Sequence, residues 1–202
     1  FEELLKISNH DAGIWRLPKG EEIYWSALRS NNSTTLTADE IHQLGLSEVA
    51  RIELDMEDIL LGQGLSEGSV VSRIRYLMKL PEHNFPNTEA GRLQQIAYLN
   101  ELNAQIMANI EDYFITIPPQ PLEIVRVPDY SQDSAPGGYY QPPALDGSSP
   151  GRFYINQKDT RDNPRWTLPT LMYHEGAPGH HFQLSAAQLI ENVPFLRKVS
   201  PF

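Results

Sequence analysis

His174-Glu175-Gly176-Ala177-Pro178-Gly179-His180-His181 holds three of the chain's six histidines within eight residues, with a glutamate beside the first. Neutral imidazole is the commonest metal-ligating side chain, and an adjacent carboxylate can serve a metal-activated water. The common H-E-x-x-H pattern sets two histidines one helical turn apart. Here the fourth position after His174 is Pro178. On an unbroken helix His180 would be rotated about 600° from His174, and His181 would return to the same face about 10 Å along the axis. Two ligands of one zinc stand only ~3–3.5 Å apart, so neither fits a regular helix. Pro178 removes a backbone donor and clashes with the preceding turn, and Gly179 permits unusual dihedrals. The stretch therefore predicts a helix that breaks at Pro178-Gly179 and can bring His180 back toward His174. A plain Pro-Gly turn between helices, with surface histidines, is the competing reading.

Working outward, Thr167 is expected to cap the helix that carries His174 and Glu175, with Pro169 in its first turn. A further helix is expected from about His181 to Asn192. Before the motif, Gly151-Arg152-Phe153-Tyr154-Ile155-Asn156 and Leu122-Glu123-Ile124-Val125-Arg126-Val127 are β-rich and read as strands. Between them lies a Pro-, Gly- and Ser-dense segment, 131–150, containing Gly138-Tyr139-Tyr140, a candidate short extended piece. The N-terminal half is helical. Glu22 to Arg29 is a short candidate. Thr37-Ala38-Asp39-Glu40 reads as a capping box opening a helix to about Leu60. Ser66 opens another, carrying Val70, Ile74, Leu77 and Met78. Asn87-Thr88 starts a long one that carries Leu93, Ile96, Ile106, Ile110 and Phe114 and ends before Pro118-Pro119. The character changes at Pro118. This gives a mainly helical region, 1–117, and a small sheet plus motif helix, 118–202. The class is α+β, predominantly α-helical.

The 202 residues, 40% hydrophobic and 21% charged, suffice for a real core. A net charge of −10 with no basic run argues against a nucleic-acid partner. With no cysteine there are no disulfides and no thiolate metal sites. No apolar run approaches ~18 residues, so a transmembrane helix is not expected. Phe1 is not an initiator methionine, and the sequence ends soon after the motif, so it reads as part of a longer protein.

His174-Glu175-x-x-Pro178-Gly179-His180-His181-x-Gln183 resembles the signature of the bacterial Domain of Unknown Function 885 (DUF885) family. The resemblance continues upstream through Pro121-Leu122-Glu123, Val127-Pro128, Tyr140-x-Pro142-Pro143, Asp146-Gly147 and Gly151-x-Phe153-Tyr154-x-Asn156. It also takes in Trp15-x-Leu17-Pro18-x-Gly20 and Glu40-Ile41-His42-x-Leu44-Gly45-Leu46-x-Glu48-Val49. What the resemblance implies is a zincin-like, gluzincin-type metallopeptidase that is secreted or periplasmic and lipid-anchored. Such proteins carry a downstream Glu-Gly-Trp-Ala-Leu-Tyr segment whose glutamate resembles a third metal ligand. The sequence stops before any such segment, whereas catalytic zinc sites use three protein ligands. The expectation is one zinc ion with its third protein ligand beyond Phe202, and the remaining C-terminal segment of the same protein as partner. That segment is expected to cover Leu171, Met172 and Phe182, and residues 1–202 alone should bind zinc poorly.

The expected roles follow. His174 and His180 are metal ligands, and Glu175 is the general base of a hydrolase acting on a peptide, a peptidase or carboxypeptidase-like enzyme. His181 has two readings, a metal ligand or a donor to the transition-state oxyanion. Gln183 is a helix-surface residue or a support for a ligand. The strand at Gly151–Asn156 is expected as a substrate-binding edge, with Arg152 and Asn156 as polar contacts. Tyr139 and Tyr140 are candidate oxyanion donors, or core tyrosines with wet hydroxyls. His42 is expected to be structural; His10 and His83 sit in polar loops. Asp162 and Glu191, the acidic residues nearest the motif, offer no evident third ligand. The rival to the hydrolase is a non-catalytic helical binding protein, or a degenerate metallopeptidase scaffold.

Overall fold

The structure is a computed structural model that describes residues 2–8, 10 and 12–199. It is α+β and predominantly helical, with one small sheet. The chain divides into two compact units, residues 1–70 and 71–202. The change of composition at Pro118 falls inside the second unit.

The first unit contains helices α1 (Glu2–Ile7), α2 (Gly20–Asn32) and α3 (Ala38–Gly62). The start of α3 follows the sequence closely. Thr37 Oγ1 accepts from the Glu40 N–H at 3.2 Å, and Glu40 Oε2 accepts from the Thr37 N–H at 2.7 Å, which closes the capping box. Helix α2 is longer than the expected 22–29 at both ends, and α1 was not foreseen.

The second unit holds α4 (Val70–Leu77), which begins at its boundary, α5 (Glu89–Met107), α6 (Leu168–Glu175), α7 (His180–Leu189) and α8 (Phe195–Val199). Helix α4 starts four residues after the expected Ser66. Thr88 caps α5, its Oγ1 accepting from the Gly91 N–H. Helix α5 stops at Met107 rather than running to Pro118, and Ile110–Asp112 forms a 3₁₀ turn.

Three strands form the sheet: β1 (Leu122–Arg126), β2 (Gly138–Gln141) and β3 (Gly151–Ile155), in the order β1-β3-β2. Strand β3 pairs parallel to β1 and antiparallel to β2, with Ile124 opposite Phe153 and Tyr140 opposite Phe153 on its other side. This corrects the expectation of a substrate-binding edge at Gly151–Asn156. Both sides of β3 are taken by neighbours, and the edges are β1 and β2. Gly151, Phe153 and Ile155 are buried on alternate positions, as a half-covered strand requires.

That inner face packs on α5 and α6. Phe153, Ile155 and Ile124 meet Leu99, Leu102, Leu168, Met172 and Phe85 in one core. Phe153, Leu99, Leu168 and Met172 are fully buried, each contributing roughly 1.5–3 kcal/mol. Some buried polar groups inside this unit are paired, while others, Gln157 Oε1 among them, have no hydrogen-bond partner among the described residues. Gln157 Nε2 donates to Gln95 Oε1 at 2.8 Å and to the Arg92 carbonyl at 2.9 Å, tying the end of the sheet to α5. A second cluster joins Ile110, Ala177 and Phe182. Met172 and Phe182 are thus buried by their own unit, and Leu171 packs beside the core. This corrects the expectation that all three await a further segment. Ser200, Pro201 and Phe202 lie outside the described residues.

Candidate functional site

The motif helix α6 begins at Leu168 with Pro169 in its first turn, where a missing N–H costs nothing. Thr167 does not cap it through its side chain. Its hydroxyl instead donates to the Pro164 carbonyl at 2.8 Å, because Thr167 already has helical dihedrals. Helix α6 ends at Glu175, and only four residues separate it from α7. The Ala177-Pro178 peptide bond is cis. Ala177 anchors the turn in the second core cluster. The Gly179 N–H donates to the Tyr173 carbonyl at 3.0 Å, and the His181 N–H to the Gly176 carbonyl at 3.2 Å, which pulls the first turn of α7 against the last turn of α6. A Cβ on Gly179 would collide with the carbonyl oxygens of His174 and Tyr173. The position admits only glycine for this approach.

The turn brings His174 and His180 together. Their rings lie 4.8 Å apart centroid to centroid, nearly perpendicular at 86°. Two imidazoles bound at ~2.0–2.1 Å around a tetrahedral ion have centroids ~5 Å apart, a separation close to the one seen here. His180 Nδ1–H donates to Gln183 Oε1 at 2.8 Å, which leaves the Nε2 lone pair free. Such an outer hydrogen bond fixes the tautomer and ring orientation of ligating histidines. His174 is exposed, and Glu175 and His180 are partly exposed, so all three reach solvent. Among the described residues no third His, Cys, Asp or Glu joins the pair in a metal-holding group.

His181 points elsewhere. It is 4% exposed, its Nε2 is 3.0 Å from the Gln120 carbonyl oxygen, and its Nδ1 is 2.9 Å from the Tyr140 hydroxyl. A carbonyl can only accept, so Nε2 carries the proton and Nδ1 accepts from Tyr140. Burial lowers the His181 pKa, opposed by the Gln120 carbonyl, and keeps the ring neutral. Burial likewise pushes the Tyr140 phenol up to about 12, with the Ser185 hydroxyl opposing. Both ring nitrogens of His181 are therefore spent. The side chain clamps α7 to β2 and to the loop before β1. The clamp is close-fitting: a Cβ on Gly151 would stand 2.7 Å from His181 Nδ1.

Strand alternation separates the two tyrosines. Tyr140 shares the inner face with Phe153 and reaches His181, whereas Tyr139 lies opposite Tyr154 and stacks on it at 4.8 Å. Arg152, on the same outer face as Tyr154, pairs with Glu123 Oε2 at 3.0 Å. Asn156 holds a loop, its Nδ2 donating to the carbonyls of Gln132 and Ala135 while its Oδ1 accepts from the Lys158 N–H. The structure thus gathers His174, Glu175 and His180 at one turn, with His181 and Tyr140 behind them. Tyr139, Arg152 and Asn156 are placed elsewhere. Gln120 was not foreseen, since a backbone carbonyl leaves no mark in sequence. Gly151 was read only as a strand residue. Gln183, three residues after His180 and so on the same helix face, carried a signal in its spacing.

No helix among the described residues is long and apolar enough to cross a membrane. No curated protein matches the chain. A crystal structure described as "the putative lipoprotein from Colwellia psychrerythraea" resembles it over its whole length, with 39% identity and a TM-score of 0.92. The chain spans 34% of that protein's length. The profile of the family described as "Bacterial protein of unknown function (DUF885)" matches residues 1–202, and the chain belongs to that family.

Proposed function

We propose that this chain carries the histidine pair and the general base of a zinc-dependent, zincin-like hydrolase acting on peptides. The observation that supports it is the His174–His180 pair, 4.8 Å apart across a four-residue turn, with His180 oriented by Gln183 and Glu175 next in sequence to His174. Zinc bound there would supply Lewis acidity toward a scissile carbonyl. Glu175 takes a proton from the attacking water and returns it to the leaving amine. His174 and His180 would hold the ion through ring nitrogens, with the third protein ligand supplied by residues beyond Phe202. His181 is neither ligand nor oxyanion donor in this reading. A lipid-anchored place in the bacterial envelope accords with the description of the Colwellia protein as a lipoprotein.

The natural full-length protein, purified and assayed for metal, is expected to carry one zinc that His174→Ala removes together with any chelator-sensitive peptide hydrolysis. Protein that takes up no zinc and cleaves no peptide from a library would leave the non-catalytic binding protein as the better reading.

A further inference from the structure

A cavity of about 400 Å³ opens along α7, lined by Tyr140, Pro143, Leu145, Leu184, Gln188 and Lys198 among others. Its placement follows from helix geometry. Leu184 is one turn and Gln188 about two turns beyond His180, and all three fall within about 80° of the helix circumference. Leu184 therefore lies about 6 Å along the axis from the metal-ligand candidate, on the same stripe. Tyr140, whose hydroxyl donates to His181, is also part of the cavity wall. Gln188 Nε2 donates to the Pro143 carbonyl at 3.0 Å, so the loop that walls the cavity is fixed to α7.

The lining is mainly apolar side chain, and Lys198 is its single charged residue. An apolar hole with one cation selects a ligand that is apolar and carries one anionic group. We infer that this cavity is a specificity subsite taking the apolar C-terminal residue of a peptide, with Lys198 pairing the free α-carboxylate. This rests on the hydrolase reading and makes it one of carboxypeptidase type.

The test uses the natural full-length protein with zinc and the peptides N-acetyl-Ala-Ala-X, where X is Leu, Phe, Ala or Glu, each as free acid and as amide. Cleavage is read as kcat/KM, and binding is read separately by calorimetry on the Glu175→Gln variant. Leu and Phe acids should exceed the Ala acid by at least ~10-fold in both readouts, as one or more buried methylenes discriminate by that order. Amides should fall by a similar factor. Leu184→Trp, which fills the cavity, should erase the Leu-over-Ala preference, and Lys198→Met should erase the acid-over-amide preference. If Leu184→Trp fails to fold, Leu145→Trp fills the same space from the loop. Preferential binding without cleavage would uphold the subsite and overturn the hydrolase. Cleavage without preference, or with preferences unmoved by these variants, would overturn the subsite and leave the hydrolase standing. Neither binding nor cleavage would overturn both.

Discussion

Tyr140 and His181 are joined by a 2.9 Å hydrogen bond in which the phenol is the donor, because the other ring nitrogen of His181 is committed to the Gln120 carbonyl. Two adjacent histidines are thereby given different work. His180 keeps a free Nε2 at the surface, while His181 has none to offer.

Zinc titrations of His180→Ala and His181→Leu in the natural full-length protein should therefore diverge. The first loses tight binding; the second keeps it. His181→Leu strands a buried hydroxyl and a carbonyl, at about 1–3 kcal/mol each, so its urea midpoint should fall markedly. Loss of zinc in the second variant with retention in the first would reverse the assignment.

Gln183→Leu removes the acceptor that orients His180 and leaves the helix intact. Zinc affinity should drop ~10–100-fold, the usual cost of losing such a support. An unchanged zinc affinity would show that the Gln183 contact is idle.

Gly179→Ala tests the turn. The added methyl meets backbone carbonyls of His174 and Tyr173, which cannot move aside as a flexible side chain could. Destabilisation of about 1–3 kcal/mol is expected, with zinc affinity reduced because the two rings are forced apart. A wild-type melting temperature and zinc affinity would contradict the tight approach.

Glu175→Gln in the full-length protein preserves shape and hydrogen bonding but removes basicity. Zinc content should persist while turnover falls ~10²–10⁴-fold. Turnover equal to wild type would remove Glu175 from the reaction.

Burial raises the pKa of both Tyr139 and Tyr140, and ultraviolet titration of the tyrosines should show Tyr140 among the late phenols. Tyr140 stays protonated to about 12, whereas an ordinary tyrosine ionises near 10. Its folded pKa is raised, so its contribution to stability is whole below pH ~10 and is lost as pH rises toward 12. Tyr140→Phe should remove one phenol from the late phase, and a titration curve unaltered by the substitution would remove Tyr140 from it.

Much of this was legible in sequence where the cause is local. The Thr37–Glu40 capping box, the three β segments and the break at Pro178-Gly179 each depend on residues within a few positions. What escaped depends on partners far along the chain. Gly151–Ile155 reads as any half-buried strand, and only pairing with β1 and β2 makes it central. Thr167 carries the right side chain for a cap, but the Pro164 carbonyl claims it. Asn156 and Arg152 look like free polar groups until the carbonyls of Gln132 and Ala135 and the carboxylate of Glu123 engage them. The roles of His180 and His181 are indistinguishable by composition, and separate only once Gln120 and Tyr140 come into place.

The two kinds of contact at the motif differ in the length of chain they close. His174 and His180 are six residues apart, whereas His181 reaches Tyr140 across 41 residues and Gln120 across 61. Closing the longer loops costs more entropy and waits on the sheet. The pair thus closes one short loop, whereas the clamp closes two long ones and ties the motif to the sheet.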